Sequence, residues 1–324
     1  MGNQRKLGSS PGDCHPASEG RTNPLVKLTY WLTRPITGLI GAGLVALNWY
    51  AWRIEPISLK ITRLILPVPN LPPAFEGYRI AHLSDLHLSV SLHLRQLPII
   101  AKMITQEQPD LIAITGDFAT AGVGELEGGQ TDLAQLHAPD GVWAILGNHD
   151  YYAGASAVQA VIEDAGIVVL RNQHRFIQRG ADCLVIAGVD DMLWGVPNLG
   201  AALDGAPHDA PVILMAHEPD YARIAQADPR VSLQLSGHTH GGQIRLPGIG
   251  ALLLPKLGHV YTLGAYRIGQ MALYVTSGTG TANKTIRFNC RPEIAVITLK
   301  RGERWNKEDQ LIWKAERNDT LFQS

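Results

Sequence analysis

Short uninterrupted runs of Val, Ile, Leu and Ala recur along the chain, separated by stretches with the period of an amphipathic helix. Such runs are typical of strands buried on both faces, as in a sheet covered by helices. The predicted strands cover residues 79–83, 111–115, 142–146, 167–170, 184–188, 212–216, 231–235, 272–276 and 294–299, and the predicted helices cover 92–108, 155–165 and 220–227. The pattern therefore predicts an α/β domain over residues 78–300.

An earlier segment, residues 25–53, is apolar over a greater length than any of these runs. Within it, residues 35–52 carry no charge, and at ~1.5 Å per residue they would extend about 27 Å, close to the hydrocarbon thickness of a bilayer. Trp31, Trp49, Tyr50 and Trp52 lie near its ends, where membrane-interface aromatics concentrate. We therefore predict a transmembrane or membrane-anchor segment at 25–53, preceded by a disordered N-terminus at 1–24.

Other interpretations of this apolar segment are a cleaved signal peptide, a buried core helix, or a helix lying in the membrane interface. No small-residue cleavage site follows it, since the chain continues with Arg53-Ile54-Glu55-Pro56. Lysine and arginine are more frequent before the segment than after it, which favours an extracytoplasmic catalytic domain. Prolines at 67, 69, 72 and 73 predict an extended connector over 54–77, and residues 301–324 form a polar C-terminal tail.

Charge and cysteine content restrict the possible partners and metal ligands. The 28 Lys and Arg residues nearly balance the 29 Asp and Glu residues, so no global positive field indicates a nucleic-acid partner. The three cysteines, Cys14, Cys183 and Cys290, are widely spaced and form neither a disulfide framework nor a thiolate metal pattern. Any bound metal is therefore expected to have oxygen and nitrogen ligands.

Polar residues of one chemical kind follow five of the predicted strands. The groups are Ser84-Asp85-Leu86-His87, Gly116-Asp117, Gly147-Asn148-His149-Asp150, Ala216-His217-Glu218 and Gly237-His238-Thr239-His240. The carboxyl ends of strands in an α/β sheet form one crevice, so the five groups are expected to converge. Side chains one residue apart, as in Asp85 and His87, point the same way along an extended chain and can share one ion.

A single Asp or His in a loop usually contacts solvent or caps a helix, and an isolated His-x-His pair is often accidental. Five strand-end groups in one chain are a stronger indication of a common site. Carboxylate, amide and imidazole donors without thiolates suit Mn, Fe or Zn rather than a structural zinc site.

The order Asp-x-His, Gly-Asp, Gly-Asn-His-Asp, His and Gly-His-x-His resembles the calcineurin-like metallophosphoesterase superfamily, over roughly residues 79–299. The apolar N-terminal segment and the motifs Ile54-Glu55-Pro56, Leu83-Ser84-Asp85-Leu86-His87 and Arg291-Pro292-Glu293-Ile294 resemble its YaeI/YkuE-like phosphodiesterase subfamily. The resemblance implies a four-layer αββα sandwich with a two-metal centre at one edge. A further similarity to UDP-diacylglucosamine hydrolases makes a lipid-linked pyrophosphate a candidate substrate.

The resemblance also implies a role for each site residue. Asp85, His87 and His240 would hold one ion, Asn148, His217 and His238 would hold the second, and Asp117 would bridge both. His149 and Asp150 would act in catalysis, His149 by contacting the substrate phosphate and Asp150 by orienting His149, with a helix-capping role for Asp150 as the alternative. One departure is Thr120, which stands where many relatives carry a further Asp.

These roles predict a hydrolase that uses two divalent ions, with Mn, Zn and Fe as candidates. It would cleave a phosphodiester or pyrophosphate bond at the membrane by attack of a metal-bridging hydroxide. A protonated His149 would stabilise the phosphoryl charge and donate a proton to the leaving oxygen. The alternatives are a phosphomonoesterase of the same fold and a non-catalytic metal-binding membrane scaffold, but the complete ligand set and intact His149 favour catalysis.

Three weaker features complete the sequence analysis. His82 is expected to be a hydrogen-bonded core residue. Arg245 and Arg287 could bind a phosphate, although a simple surface position is the more common situation for arginine. The turn Gly278-Thr279-Gly280-Thr281 could help to shape the rim of the metal site.

Overall fold

A computed structural model describes residues 24–88, 91–126, 129–282 and 284–302, with side chains described from residue 37 onward except at 91–94. The helices are α1 (Pro24–Arg53), α2 (Ser91–Glu107), α3 (Gln130–Leu133), α4 (Asn148–Asp164), α5 (Leu199–Ala202) and α6 (Ala222–Ala225). The strands are β1 (Lys60–Val68), β2 (Arg79–Leu83), β3 (Leu111–Thr115), β4 (Val142–Ile145), β5 (Val168–Val169), β6 (Gln173–Arg179), β7 (Asp182–Gly188), β8 (Val212–Met215), β9 (Val231–Ser236), β10 (Arg245–Leu246), β11 (Gly250–Ala251), β12 (Gly264–Ile268), β13 (Met271–Val275) and β14 (Glu293–Arg301).

Most strands belong to two six-stranded mixed sheets, and β10 and β11 form a separate hairpin. Sheet I has the order β1-β14-β2-β3-β4-β5, and sheet II has the order β12-β13-β9-β8-β7-β6. Parallel pairs connect β2, β3 and β4 in sheet I, and β7, β8 and β9 in sheet II. The carboxyl ends of the central strands of each sheet therefore lie along one edge of that sheet.

Three apolar clusters explain how the layers are held together. One contains residues of both sheets, such as Ile80 and Ile213, and fills the space between them. A second joins the other face of sheet I to α2 and α4, and a third joins the other face of sheet II to α5 and α6. Since side chains alternate along a strand, Ile80 belongs to the first cluster and Ala81 to the second. The fold is thus an α/β sandwich in which two sheets face each other between helices.

The connector predicted over 54–77 contains a strand that the sequence pattern did not indicate. Residues Lys60–Val68 form β1, which pairs in parallel with β14 along its whole length. This pairing buries Leu64, Leu66 and Val68 in the core between the sheets. The domain therefore begins well before Tyr78, and the prolines at 69, 72 and 73 mark the link between two strands of one sheet.

The predicted apolar segment at 25–53 coincides with a helix, because α1 runs from Pro24 to Arg53. The chain divides into two units, residues 1–48 and residues 49–324. In the second unit the carbonyl oxygen of Ala51 accepts a hydrogen bond from the backbone N–H of Arg287, at 3.0 Å. Among the described residues, no helix combines the length and the apolar character needed to cross a membrane. Residues 1–23 and 303–324, which include most of the predicted disordered N-terminus and polar tail, lie outside the described residues.

Candidate metal centre

The five strand-end groups meet at one place, as the sequence predicts. Those carrying Asp85, Asp117 and Asn148 follow β2, β3 and β4 of sheet I, and those carrying His217 and His238 follow β8 and β9 of sheet II. Backbone hydrogen bonds connect consecutive groups: the N–H of Asp85 donates to the Gly116 carbonyl, and that of His87 donates to the Asp117 carbonyl. Both sheets thus contribute ligand-bearing loops to one site.

Four of the predicted ligands form one compact buried group. The candidate ligand atoms of Asp85, His87, Asp117 and His240 all lie within 4.8 Å of one another. His87 Nε2 lies 3.1 Å from His240 Nε2, and His240 Nε2 lies 3.3 Å from Asp85 Oδ1. Nitrogen and oxygen donors at these separations can surround a single divalent ion.

Asp117 also faces the second predicted set of ligands. Its Oδ2 lies 3.2 Å from His217 Nε2 and 3.7 Å from His87 Nε2. The rings of His217 and His238 are 5.0 Å apart. Asn148 is the first residue of α4 and is buried beside them. The position of the Asp117 carboxylate, between histidines of both sets, is the one that a bridging ligand requires.

Hydrogen bonds on the far side of two histidine rings fix which nitrogen faces the site. His217 Nδ1 lies 2.6 Å from the Thr115 carbonyl oxygen, and His238 Nε2 lies 2.8 Å from the Lys256 carbonyl oxygen. Because a carbonyl oxygen only accepts, each of these nitrogens carries a proton and the other ring nitrogen is the one that faces the site. His217 Nε2 faces the Asp117 carboxylate, and within the described chain Asn148 Oδ1 is buried without a hydrogen-bond partner. A buried amide oxygen without a donor fits a bound cation.

Several residues of the site have a positive φ, a backbone conformation that non-glycine residues rarely adopt. Asp85, His87, Asp117, His238 and His240 all have positive φ, between 46° and 67°. Non-glycine residues adopt this region rarely, and each such residue costs of order 1–3 kcal/mol. Five of the seven predicted ligands therefore have a strained backbone, and the surrounding hydrogen bonds hold them in it.

Gly237 is required by close packing between the two sheets at this site. A Cβ at position 237 would overlap Ser84 Oγ and Asp85 Oδ2. The N–H of the next residue, His238, donates to both Asp85 carboxylate oxygens at 3.1 Å. The missing side chain thus allows the loop of sheet II to approach the Asp85 carboxylate of sheet I.

Asp150 does not orient His149 in this structure, which corrects the role first expected for it. Its fully buried carboxylate accepts backbone N–H groups from Asp117, Phe118, Ala119 and Gly147, at 2.9–3.0 Å. The Gly147 contact caps α4, in agreement with the alternative, and the other three hold the loop after β3. Asp150 therefore positions the Asp117 backbone.

His149 lies at the edge of the ligand group and is partly exposed. Its backbone N–H donates to Asp117 Oδ1 at 2.9 Å, and its Nδ1 donates to the Thr120 carbonyl at 2.8 Å. Thr120 Oγ1 lies 3.1 Å from His87 Nδ1. The residue that departs from the family pattern thus contacts two histidines, one through its backbone and one through its hydroxyl.

Comparisons with known proteins agree with this geometry. The family model described as calcineurin-like phosphoesterase matches residues 78–242. The uncharacterized metallophosphoesterase YkuE of Bacillus subtilis is 36% identical over 256 residues, which cover 78% of this chain and 89% of that protein. The chain belongs to the calcineurin-like phosphoesterase family.

Two further relatives differ in what their names say. The phosphodiesterase YaeI of Escherichia coli is 30% identical over 68% of this chain and 82% of its own length. The transmembrane protein with metallophosphoesterase domain of Danio rerio is 34% identical over 75% of this chain and 58% of its own length. As a calcineurin-like phosphoesterase with a buried metal-binding group, the chain is a phosphoric ester hydrolase that uses divalent metal ions.

Arg287 supports the site of this phosphoesterase through backbone contacts, and the surface position first expected for it is wrong. Its side chain is fully buried. It donates to the carbonyl oxygens of Ser277, Gly278, Gly280 and Cys290, at 2.5–3.1 Å. The Gly280 N–H in turn donates to the Asp85 carbonyl at 2.7 Å. Arg287 thus holds the predicted glycine-rich turn against the Asp85 loop.

The pKa values of the two carboxylates of the phosphoesterase site are shifted in opposite directions. Burial raises the pKa of Asp85 to about 6, although the charge of His217 opposes the rise. Burial opposes ionisation of Asp117 too. The positive charges of His217 and His87 and a hydrogen bond from His217 outweigh this effect and hold the pKa of Asp117 below the ordinary range. A bound cation would favour the charged form of both groups.

A pocket of about 630 Å³ opens from this centre. Its floor, as we name it, consists of Asp117, Asn148, His149, His238 and His240. Its wall consists of Trp52, Ile244, Leu252, Leu253, Leu254, Pro255 and Ile286, with Lys284 beside them. The pocket therefore joins a floor of His149 and four predicted metal ligands to an apolar wall. Arg245 and His82 do not line this pocket. Arg245 donates to the Gly241 carbonyl. His82 is a buried core residue hydrogen-bonded to Thr115 Oγ1, as predicted for it.

Proposed function

We propose that the protein hydrolyses a phosphodiester or pyrophosphate bond in an amphiphilic, lipid-linked substrate at a membrane, using two divalent ions. The observation that carries this proposal is the pocket in which a floor of metal ligands adjoins an apolar wall. A phosphate group suits the floor, and an acyl or polyprenyl chain suits the wall.

In this proposal, Asp85, His87 and His240 bind one ion, and Asn148, His217 and His238 bind the other. Asp117 contacts both, which its position between His87 and His217 supports. Manganese, zinc and iron are the candidate metals, since the ligands are carboxylate, amide and imidazole groups. When bound, two such ions supply positive charge at the phosphoryl group and water that ionises near neutral pH.

His149 is assigned the proton transfer. Its Nδ1–H is engaged by the Thr120 carbonyl, so Nε2 is the nitrogen that can carry a second proton into the pocket. A protonated Nε2 stabilises charge on the phosphoryl oxygens and protonates the leaving oxygen. Asp150, whose oxygens are occupied by backbone N–H groups, contributes by holding the Asp117 loop.

Membrane association through α1 remains part of the proposal, as either an anchor or a helix in the interface. Two relatives whose names include "transmembrane protein" support it, those from Danio rerio and Bos taurus. The charge bias around residues 25–53 supports an extracytoplasmic catalytic domain. Fractionation of the full-length protein tests the association, and recovery entirely in the soluble fraction without detergent would refute it.

The decisive experiment is a substrate panel with Mn, Zn, Fe or Mg added back after chelation. The panel contains aryl phosphodiesters, phosphomonoesters and sugar-nucleotide lipids. We expect metal-dependent turnover of diesters, with the highest kcat/KM on a lipid-linked substrate. Preference for monoesters would favour the phosphomonoesterase alternative, and metal binding without turnover of any phosphoester would favour the non-catalytic scaffold.

A further inference from the structure

The wall of the pocket continues onto an exposed apolar surface. Leu253 is 82% exposed, Ile249 is 72% exposed and Leu252 is 50% exposed, all on or directly after the β10–β11 hairpin. Trp52, which lines the same pocket, is 40% exposed. Large aliphatic side chains grouped at one rim and left in water mark an interaction surface, whereas isolated ones do not.

Charge distinguishes this part of the chain from the rest. Residues 229–292 contain no Asp or Glu, although the whole protein has 29 of them. Lys256 and Lys284 are exposed next to the apolar residues, and Lys284 lines the pocket. Among the described residues of this segment, the exposed charged side chains beside the apolar rim are therefore lysines, with no carboxylate between them.

From these two observations we propose that the wall and the hairpin tip dock onto a bilayer surface that carries anionic headgroups. Aliphatic and tryptophan side chains enter the boundary between headgroups and acyl chains, while nearby lysines contact lipid phosphates. Apart from Trp52, which lies at the end of α1, this contact is made by residues of the catalytic domain. It rests on the proposed function in one respect, because it places the pocket mouth against the surface that holds the substrate.

If the pocket entrance lies against the bilayer, a lipid-linked substrate reaches the floor by a different route from a soluble one. A lipid-linked phosphoester could pass from the bilayer along the apolar wall to the floor without exposing its chain to water. A water-soluble diester needs only the floor. Docking should therefore matter for a substrate held in a bilayer and not for one dissolved in water, even when the bond cleaved is the same.

The test compares two substrates with the same nitrophenolate leaving group in the full-length protein. One is bis(4-nitrophenyl) phosphate in solution, and the other is hexadecyl 4-nitrophenyl phosphate in phosphatidylcholine vesicles, with or without phosphatidylglycerol. The double variant Leu252→Ser/Leu253→Ser should lose about tenfold or more in kcat/KM on vesicles, as expected for one or two leucines kept out of an apolar phase. Its loss of activity on the soluble diester should be much smaller, because both leucines belong to the wall and a water-soluble diester needs only the floor.

Two controls refine this comparison. Ile224→Ser removes a residue that is 47% exposed on α6 and should alter neither activity. Wild-type activity on vesicles should increase with phosphatidylglycerol, and Lys256→Gln/Lys284→Gln should reduce that increase. Since every variant retains α1, any contribution of that helix to vesicle binding is common to all of them.

A substrate-free measurement separates docking from direct binding of the alkyl chain. In Leu253→Trp, the added fluorescence should be quenched by vesicles of brominated phosphatidylcholine and phosphatidylglycerol, whereas that of Ile224→Trp should not. Equal quenching of the two variants, or equal loss of the double leucine variant on both substrates, would overturn the docking proposal. A change from dimer to monomer in the leucine variant would overturn it in favour of an interface between copies. Absence of hydrolysis of the soluble diester would instead refute the proposed function and leave the quenching result to decide the docking.

Discussion

In the floor of the pocket each ligand-bearing loop is bonded to another loop, whereas the residues at the exposed end of the wall face solvent. Asp117 illustrates the first case, because its backbone N–H is held by Asp150 and its carboxylate accepts the N–H of His149. Leu253 illustrates the second, since most of its side chain is exposed. Ligands to metal ions need fixed positions, while a surface that meets lipid gains from apolar area and tolerates imprecise contacts.

The largest effect should come from removing the carboxylate that faces both predicted ions. Asp117→Asn should lower metal content at two sites and reduce kcat/KM by more than the ~10²–10⁴-fold typical of a general acid. Metal analysis after gel filtration measures the first effect, and Asp85→Asn provides the comparison, with loss mainly of one ion. Full metal content in Asp117→Asn would contradict its bridging role.

A smaller and purely kinetic effect is expected for the residue at the edge of the floor. His149→Asn should keep both ions and lose ~10²–10⁴-fold in kcat on a diester with a poor leaving group. The loss should be smaller with nitrophenolate, which needs little protonation. An unchanged kcat on the poor substrate, with metal bound, would remove His149 from the chemistry.

Arg287 holds the glycine-rich turn against the Asp85 loop, so its removal should lower both the stability of the fold and the affinity for metal. Arg287→Met removes the donor to four buried carbonyl oxygens, of which Gly278 keeps the Glu293 N–H, so we expect the free energy of unfolding to fall by about 3–5 kcal/mol and one ion to bind more weakly. Arg287→Lys should recover part of the stability but not the fork of donors. Arg245→Met, a partly exposed arginine with one carbonyl contact, is the matched control and should cost much less. If both Met variants lost the same stability, the proposed support would be wrong.

The smallest effect, a pH dependence, concerns Glu293, the first residue of β14. Its buried carboxylate lies 3.2 Å from Lys60 Nζ and also accepts hydrogen bonds from Tyr274 and Ser277. Burial opposes ionisation, but the Lys60 charge and the hydrogen bonds from Thr62 and Ser277 lower the pKa from 4.5 to about 2. A lowered pKa stabilises the fold above the unfolded value, so about 3 kcal/mol should be lost as the pH falls from about 4.5 to 2. Denaturant unfolding of Glu293→Gln should show a flatter acid limb, and an equally steep limb would exclude this role.

Much of the fold could be predicted because the buried strands are continuous apolar runs. Residues 79–83 and 111–115 were predicted with the bounds that the structure has. The strand β1 was missed because Lys60 and Arg63 interrupt its apolar pattern and the prolines that follow suggested a linker. Its partner is β14, more than two hundred residues later in the chain, and no local pattern indicates such a pairing.

The candidate site residues were predicted from residue type and from their place after strands, their roles as ligands were implied by the family resemblance, and the structure brings these residues together. The roles of Asp150 and Arg287 could not be found in the same way. Asp150 stands next to His149 in sequence, which suggested a partnership, but its oxygens point to the backbone of the Asp117 loop. Arg287 acts through four backbone carbonyl oxygens. Because every residue has such an oxygen, residue type does not indicate these contacts.

The pairing of β1 with β14 also bears on the order in which the protein can be assembled during synthesis. β14 lies between β1 and β2 in sheet I, so the first strand to leave the ribosome has no neighbour until the last one has been made. Contacts this distant in sequence form slowly, and an unpaired strand is open to wrong partners in the meantime. Glu55 adds to this dependence, since its carboxylate binds the backbone N–H groups of Asn289 and Cys290. A nascent chain stalled before residue 289 would therefore expose β1 and the end of α1, and would be expected to need a chaperone until translation resumed.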